Sequence, residues 1–190
     1  MQPTSATSSP TTADRYAAVA APLTAVVDSI HDDQWQAVSP CEGWTAGDVV
    51  RHLIETQRDF LLRHRVDLGA GPDLGVDPGA AWRSHHQAVE TAIGDPAVTT
   101  TPFDGHFGPT TVGETLERFY LFDMVAHRWD VARAVGVDTT FTDTELDELE
   151  TGIASFGDAI RMDGVCGPAV DVADDAARQT RVLALLGRRA

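Results

Sequence analysis

TVGETLERFYLFDMVAHRWDVARAVG, residues Thr111 to Gly136, is the stretch whose reading decides the fold. Thr111 can accept a hydrogen bond from the backbone N–H three residues on, and Glu114 stands where a capping box places its carboxylate. Gly136 supplies the C-terminal stop, so the spacing predicts one long helix between them. Leu116, Phe119, Tyr120, Leu121, Phe122, Met124, Val125, Trp129, Val131, Ala132 and Val135 leave almost no polar side on that helix. A helix apolar nearly all round is a buried one. Its rows at alternating steps of four and three nevertheless carry Asp123, His127 and Asp130. An uncompensated buried polar group costs roughly 2–7 kcal/mol, and a charge more, so these three need partners. Residues i and i+4 stand one above the other on a helix face, the arrangement by which two ligands are offered to one metal ion. From DxxxH alone two readings stay open: a cation, or an Asp–His pair that satisfies itself.

Working outward, the flanking segments predict partner helices. Tyr16, Val19, Leu23, Val26, Val27 and Ile30 recur at helical spacing, and a second stripe of Val49, Val50, Leu53, Ile54, Phe60 and Leu61 follows the Thr45/Asp48 capping signal. His52 lies at the edge of that second stripe, where an isolated histidine is ordinarily just satisfied or solvated. After the Gly/Pro/Asp-rich loop 67–80, Trp82, His86, Val89 and Ile93 mark a third helix. His85 and His86 cannot both face one ion, because helical neighbours point about 100° apart, and one of the two is expected to be solvated. Residues 94–111 read as a long loop or a two-stranded turn around Gly105, with His106 a candidate for the site opening. Beyond Gly136, Thr142 and Glu145 cap a further amphipathic helix through Leu146, Leu149, Ile153, Phe156 and Ile160; a Val-rich piece and a short Val182–Leu186 helix close the chain as a flap. The fold expected is an all-α, up-down four-helix bundle with extra C-terminal elements. Residues 1–12, rich in Ser, Thr and Pro, should form a disordered tail, and residues 13–190 a single domain.

Composition narrows the function. The 190 residues carry 29 acids against 14 bases, a formal charge of -15, and every base is Arg. Nucleic acid is therefore not an expected partner, since phosphate binding needs a basic footprint. No run of 18 apolar residues is available to span a membrane, and the first residues lack the basic and apolar regions of a secretion signal, so the expectation is a cytoplasmic protein. Without Lys there is neither Schiff-base chemistry nor a Walker-type phosphate loop. Cys41 and Cys166 are two cysteines in a chain too large for them to form a disulfide framework, so both are expected as free thiols.

Three stretches, SPCEGWTAGDVVRHL, LFDMVAHRWDVARAVG and the closing GPAV…RVLALLGR, resemble the metal-binding domain of mycothiol-dependent maleylpyruvate isomerase and its relatives in the DinB-like superfamily. The resemblance implies a DinB-like four-helix bundle holding a divalent metal, commonly zinc, through a His of the second helix and a pair four residues apart on the fourth. Matched by motif, those residues are His52, Asp123 and His127. Three ligands with a position left open is also the pattern of catalytic zinc sites, and nickel would suit the same mixed nitrogen and oxygen set. The isomerase has Glu where this chain has Asp123, and a separate C-terminal domain that helps to bind its substrate where this chain has a short tail. The resemblance therefore implies a metal-dependent enzyme acting with a low-molecular-weight thiol such as mycothiol, of transferase or isomerase type, rather than maleylpyruvate isomerisation itself. Alternatives are a noncatalytic metal-binding or regulatory module, closed by a fourth ligand such as His106 or Cys41, and a metal-dependent hydrolase. Asp130, one turn from His127, either orients a ligand imidazole or pairs with Arg51, Arg133 or another Arg. Arg51 and Arg128 are candidates to meet a substrate carboxylate. The partners expected are a small-molecule thiol or substrate, with a homodimer allowed and neither nucleic acid nor membrane.

Overall fold

The computed structural model describes residues 9–162 and 164–190. The expected tail over residues 1–12 thus falls, for residues 1–8, outside the described residues. Thr11 already belongs to the folded part: it caps α1 (Thr12–Asp28) through a reciprocal box with Asp14, and the Thr12 hydroxyl donates to Glu117 at 2.7 Å. Thr45 and Asp48 form the same box at the start of α2 (Ala46–Arg63). Asp77 and Pro78 open α3 (Pro78–Ile93), with Pro in the first turn where its missing N–H costs nothing. A short α4 (Pro96–Thr99) leads into an antiparallel hairpin of β1 (Pro102–Gly105) and β2 (Gly108–Thr111).

The stretch from Thr111 to Gly136 differs from the single helix its caps predict. Both caps form as read: Glu114 and Thr111 exchange hydrogen bonds, and Gly136 adopts a left-handed φ of 77°. Between them the chain runs as α5 (Val112–Thr115), a π-helical segment over Leu116–Leu121, and α6 (Phe122–Val135). Apolar periodicity cannot distinguish i→i+4 from i→i+5 bonding over six residues, so the sequence carries no mark of the π segment. Asp123 and His127 fall just beyond it on unbroken α-helix, and their one-turn relation is kept.

The bundle packs α1 against α3 and α6, and α2 against α6 and α3. Its core joins Tyr16, Leu23, Val50, Leu53, Ile54, Trp82, Leu116, Met124 and Val131. The other face of α6 is buried too: Val125, Ala126 and Trp129 meet Phe141, Leu146 and Leu149 of α7 (Asp143–Phe156) and its approach, together with Val182, Leu183 and Leu186 of α8 (Arg178–Leu185) and its end. This two-sided burial is what an all-round apolar helix requires. Gly152 lets α7 approach closely, since a Cβ there would lie 2.4 Å from the Phe122 ring. No helix among the described residues is long and apolar enough to cross a membrane.

One core assignment changes. In α3 the buried histidine is His85, fully inaccessible, while His86 is partly exposed. Trp82, His85 and Val89 share a face at steps of three and four, as Trp82, His86 and Val89 also do, so helical spacing could not choose between them. The Gln57 side-chain oxygen decides it, lying 3.0 Å from His85 Nε2 and accepting from the Tyr16 hydroxyl at 3.1 Å.

Candidate metal centre

Two helices and one loop build the centre. α2 contributes His52 from its second turn, α6 contributes Asp123 and His127, and the packing of α2 on α6 brings them together. His52 Nε2 lies 3.1 Å from Asp123 Oδ2, and His127 Nε2 lies 3.3 Å from Asp123 Oδ1. One ligand atom from each of the three residues falls within 4.8 Å of the others. Asp123 is not the fully buried group its helical row suggests: its side chain is 32% exposed, as is fitting for a residue lining an open cleft. His127 is 8% exposed and Asp130 wholly buried.

The loop Ser39–Trp44 covers the other side. Trp44 N–H donates to the Cys41 carbonyl at 3.0 Å, closing a turn whose third residue, Gly43, has φ 77°. A positive φ at that place is the reason for a glycine. The turn lays the Trp44 ring 4.9 Å from His52 and 6.1 Å from His127, centroid to centroid, and points Cys41 inward. The Cys41 thiol donates to Asp130 Oδ2 at 3.3 Å and lies 3.9 Å from His127 Nδ1.

Asp130 fixes the role of each His127 nitrogen. Its Oδ2 stands 2.8 Å from His127 Nδ1, and an ionised carboxylate only accepts, so Nδ1 carries the proton. Nε2 is then turned to Asp123. A neutral imidazole would set a lone pair against a carboxylate oxygen there, so positive charge must lie between them, either a second proton or a metal cation. Asp130 is in turn gripped by Arg188, whose Nε lies 3.0 Å from Oδ1 and whose Nη2 lies 2.7 Å from Oδ2. Asp130 thus meets the His127 imidazole and an arginine at once, the arginine being Arg188 and neither Arg51 nor Arg133.

Electrostatics follow the same geometry. Burial raises the pKa of Asp123, but the His127 and His52 imidazoles outweigh it and hold the carboxyl well below the usual carboxylate range. Burial lowers that of His127, yet the Asp123 charge and the hydrogen bonds the ring makes with Asp123, Asp130 and Cys41 bring it well above an ordinary histidine. Asp130, raised by burial and lowered by His127 and Arg188, ends at about 2.

A metal is compatible with this set of donors. With bonds of about 2.0–2.1 Å to nitrogen and oxygen, two ligands of a tetrahedral ion stand about 3.3 Å apart. The 3.1 and 3.3 Å separations are close to that edge, each to a different oxygen of Asp123, and one donor atom from each of the three residues lies within 4.8 Å of the others. A second acidic and thiol-bearing group, Cys41, His127 and Asp130, is equally compact, but Arg188 Nη2 lies 3.8 Å from Cys41 Sγ and already supplies its cation. His106 sits at the hairpin turn against Phe107 and enters neither group among the described residues. Cys41 faces the Nδ1 side of His127, away from the three-ligand cluster. Arg51 pairs with Asp48 at 2.9 Å and Arg128 with Glu145 at 2.7 Å, so neither faces the centre as a free cation. Trp129, on the same helix, packs with the α7 and α8 cluster. A groove of about 580 Å³ between α1, the π segment and α7 includes none of the three candidate ligands.

The profile of the mycothiol maleylpyruvate isomerase N-terminal domain matches residues 16–132, a span that includes His52, Asp123 and His127. The chain belongs to that family. The match stops short of Arg188 and of the whole α7 and α8 layer. Neither the curated proteins nor the solved structures give a match to this family member.

Two features of the centre were not read from the sequence. Arg188 is 58 positions from Asp130, and the only hint was that a buried carboxylate in a chain without Lys must find an Arg. The covering role of Trp44 had a clearer signal in the CEGW turn, which fixes where the ring goes relative to α2.

Proposed function

We propose that His52, Asp123 and His127 hold one divalent cation, zinc for preference and nickel as the alternative, and that the protein is a metal-dependent transferase or isomerase acting with a low-molecular-weight thiol such as mycothiol. The observation that carries this reading is the facing of His127 Nε2 and Asp123 Oδ1 at 3.3 Å with Nδ1 already committed to Asp130. Family membership supports a thiol partner. A divalent cation here would stabilise a bound thiol as its thiolate, the nucleophilic form. The chain's own contribution is orientation and exclusion of water. Asp130 keeps His127 in the tautomer whose Nε2 lone pair is free, Asp123 bridges the two imidazoles, and Trp44 shields one side of the cleft.

A noncatalytic module needs a fourth protein ligand, and neither Cys41 nor His106 occupies that place among the described residues, which favours the catalytic reading. Residues 13–190 act as one domain in this proposal, because α6 is a wall of both the bundle core and the C-terminal layer. The test is elemental analysis of untagged protein after incubation with zinc or nickel, followed by calorimetric titration with mycothiol and with a thiol-free analogue. One metal per chain and thiol-dependent heat are expected. Absence of stoichiometric metal sinks the site, and metal without thiol binding leaves the site but removes the thiol chemistry.

A further inference from the structure

The family match ends at residue 132, yet the hydrogen-bonded chain that leads away from His127 does not. It runs from His127 Nδ1 to Asp130 Oδ2 at 2.8 Å, and from Asp130 to the guanidinium of Arg188 through contacts of 3.0, 3.2 and 2.7 Å. Two donors of one guanidinium grip one carboxylate in the fork geometry that Lys cannot reproduce. Asp130 is wholly buried and Arg188 is 10% exposed, so water screens this pair little.

The local structure shows why Arg188 arrives there. α8 ends at Leu185, and Gly187 follows with a left-handed φ of 80°. A Cβ at Gly187 would stand 3.1 Å from the Pro168 carbonyl and 3.2 Å from Gly167, so only glycine lets the chain reverse so close to that strand of backbone. The reversal aims Arg188 inward, where its backbone N–H bonds to Leu183 O at 2.9 Å and its Nη1 to Leu186 O at 2.8 Å. Arg161 adds a clamp from below by donating to the carbonyls of Gly167 and Leu185.

We propose that Arg188 is a positioning residue for the metal centre, and that the C-terminal segment around α8 sets metal affinity from outside the family domain. The proposal rests on the His52, Asp123 and His127 reading. Without Arg188, Asp130 loses the partner that orients it, and its hydrogen bond no longer fixes the His127 tautomer or ring plane. Partners that act on a metal ligand through its far nitrogen change affinity typically 10–100-fold.

The experiment uses the full chain with Arg188→Ala, Arg188→Lys and Arg178→Ala. Arg178 opens the helix that leads to Arg188 but pairs with Asp147 and Glu150 on the surface and takes no part in the bonding chain to His127. Zinc dissociation constants are measured by competition with a chromogenic chelator, and the visible spectrum of each cobalt-substituted protein is recorded. Arg188→Ala should weaken zinc 10–100-fold and shift the cobalt ligand-field bands, Arg188→Lys should fall between it and the parent, and Arg178→Ala should stay within twofold with an unchanged spectrum. Equal affinity and spectrum in parent and Arg188→Ala overturn the proposal while leaving the metal site standing. So does an equal loss in Arg178→Ala, which would mark a general loosening of the helix. A parent that binds neither zinc nor cobalt overturns both the site and this inference.

Discussion

Replacing His127 by Ala tests the centre most directly, because two carboxylates depend on the one ring. The imidazole touches Asp123 at 3.3 Å and Asp130 at 2.8 Å, and its side chain is 8% exposed. Removing one partner of a buried charged pair ordinarily costs about 3–5 kcal/mol. Both survivors keep some compensation, which lowers that figure. Asp130 retains the Arg188 fork, and Asp123 retains His52 and has a third of its side chain in water. About 2–4 kcal/mol is therefore expected for the metal-free proteins, or roughly 4–16 °C in melting temperature for a chain of this size. Metal widens the gap. At a free concentration 100 times the dissociation constant the parent gains about 2.7 kcal/mol, and a variant without the ligand gains nothing. Urea unfolding of parent and His127→Ala, each with a chelator and with zinc, separates the two contributions. A variant as stable as the parent in chelator refutes the account of the pair, and one that zinc stabilises as much as the parent refutes His127 as a ligand.

Burial brings the His85 pKa down to about 3, so this imidazole is neutral when folded and takes a proton more readily when unfolded. A base depressed in this way supports the fold above the unfolded pKa near 6.5 and loses that support as pH falls towards 3, by up to about 1.4 kcal/mol per pH unit. Unfolding free energies at pH 6.5 and 5 should thus fall about 2 kcal/mol more steeply in the parent than in His85→Gln, while zinc affinity is unchanged; parallel losses contradict the assignment. Cys41→Ser should keep one metal per chain by elemental analysis, because the thiol faces Nδ1 rather than Nε2 of His127, and loss of metal would make Cys41 a ligand. Gly152→Ala should lower stability by about 1–3 kcal/mol, since the new methyl group would overlap the Phe122 ring in a closely packed contact. An unchanged melting temperature would mean that α7 is free to retreat.

What was legible in the sequence was whatever short-range chemistry encodes. Capping boxes at Thr45, Thr111 and Thr142 were readable because donor and acceptor lie three residues apart, and all three form. The one-turn relation of Asp123 and His127 was readable for the same reason, and the family resemblance added His52. The choice between His85 and His86 depended on where Gln57 sits on another helix, and periodicity is blind to that. Arg188 lay further out of reach: any of 14 arginines could have met Asp130, and only the reversal at Gly187 selects one. The π segment left no trace because six residues of apolar helix look alike in either bonding pattern.

The π-helical segment also gives the long helix a seam where length can vary. Deleting one residue between Leu116 and Leu121 would allow a return to ordinary i→i+4 bonding, with the change absorbed upstream by α5 and the hairpin. Asp123 and His127, downstream of the seam, would keep their footing on α2. A deletion between those two residues has no such outlet, since it swings one of them about 100° around the helix and out of the cleft. Natural insertions and deletions tolerated by this architecture should collect just before Asp123, and the four-residue step after it should have a fixed length.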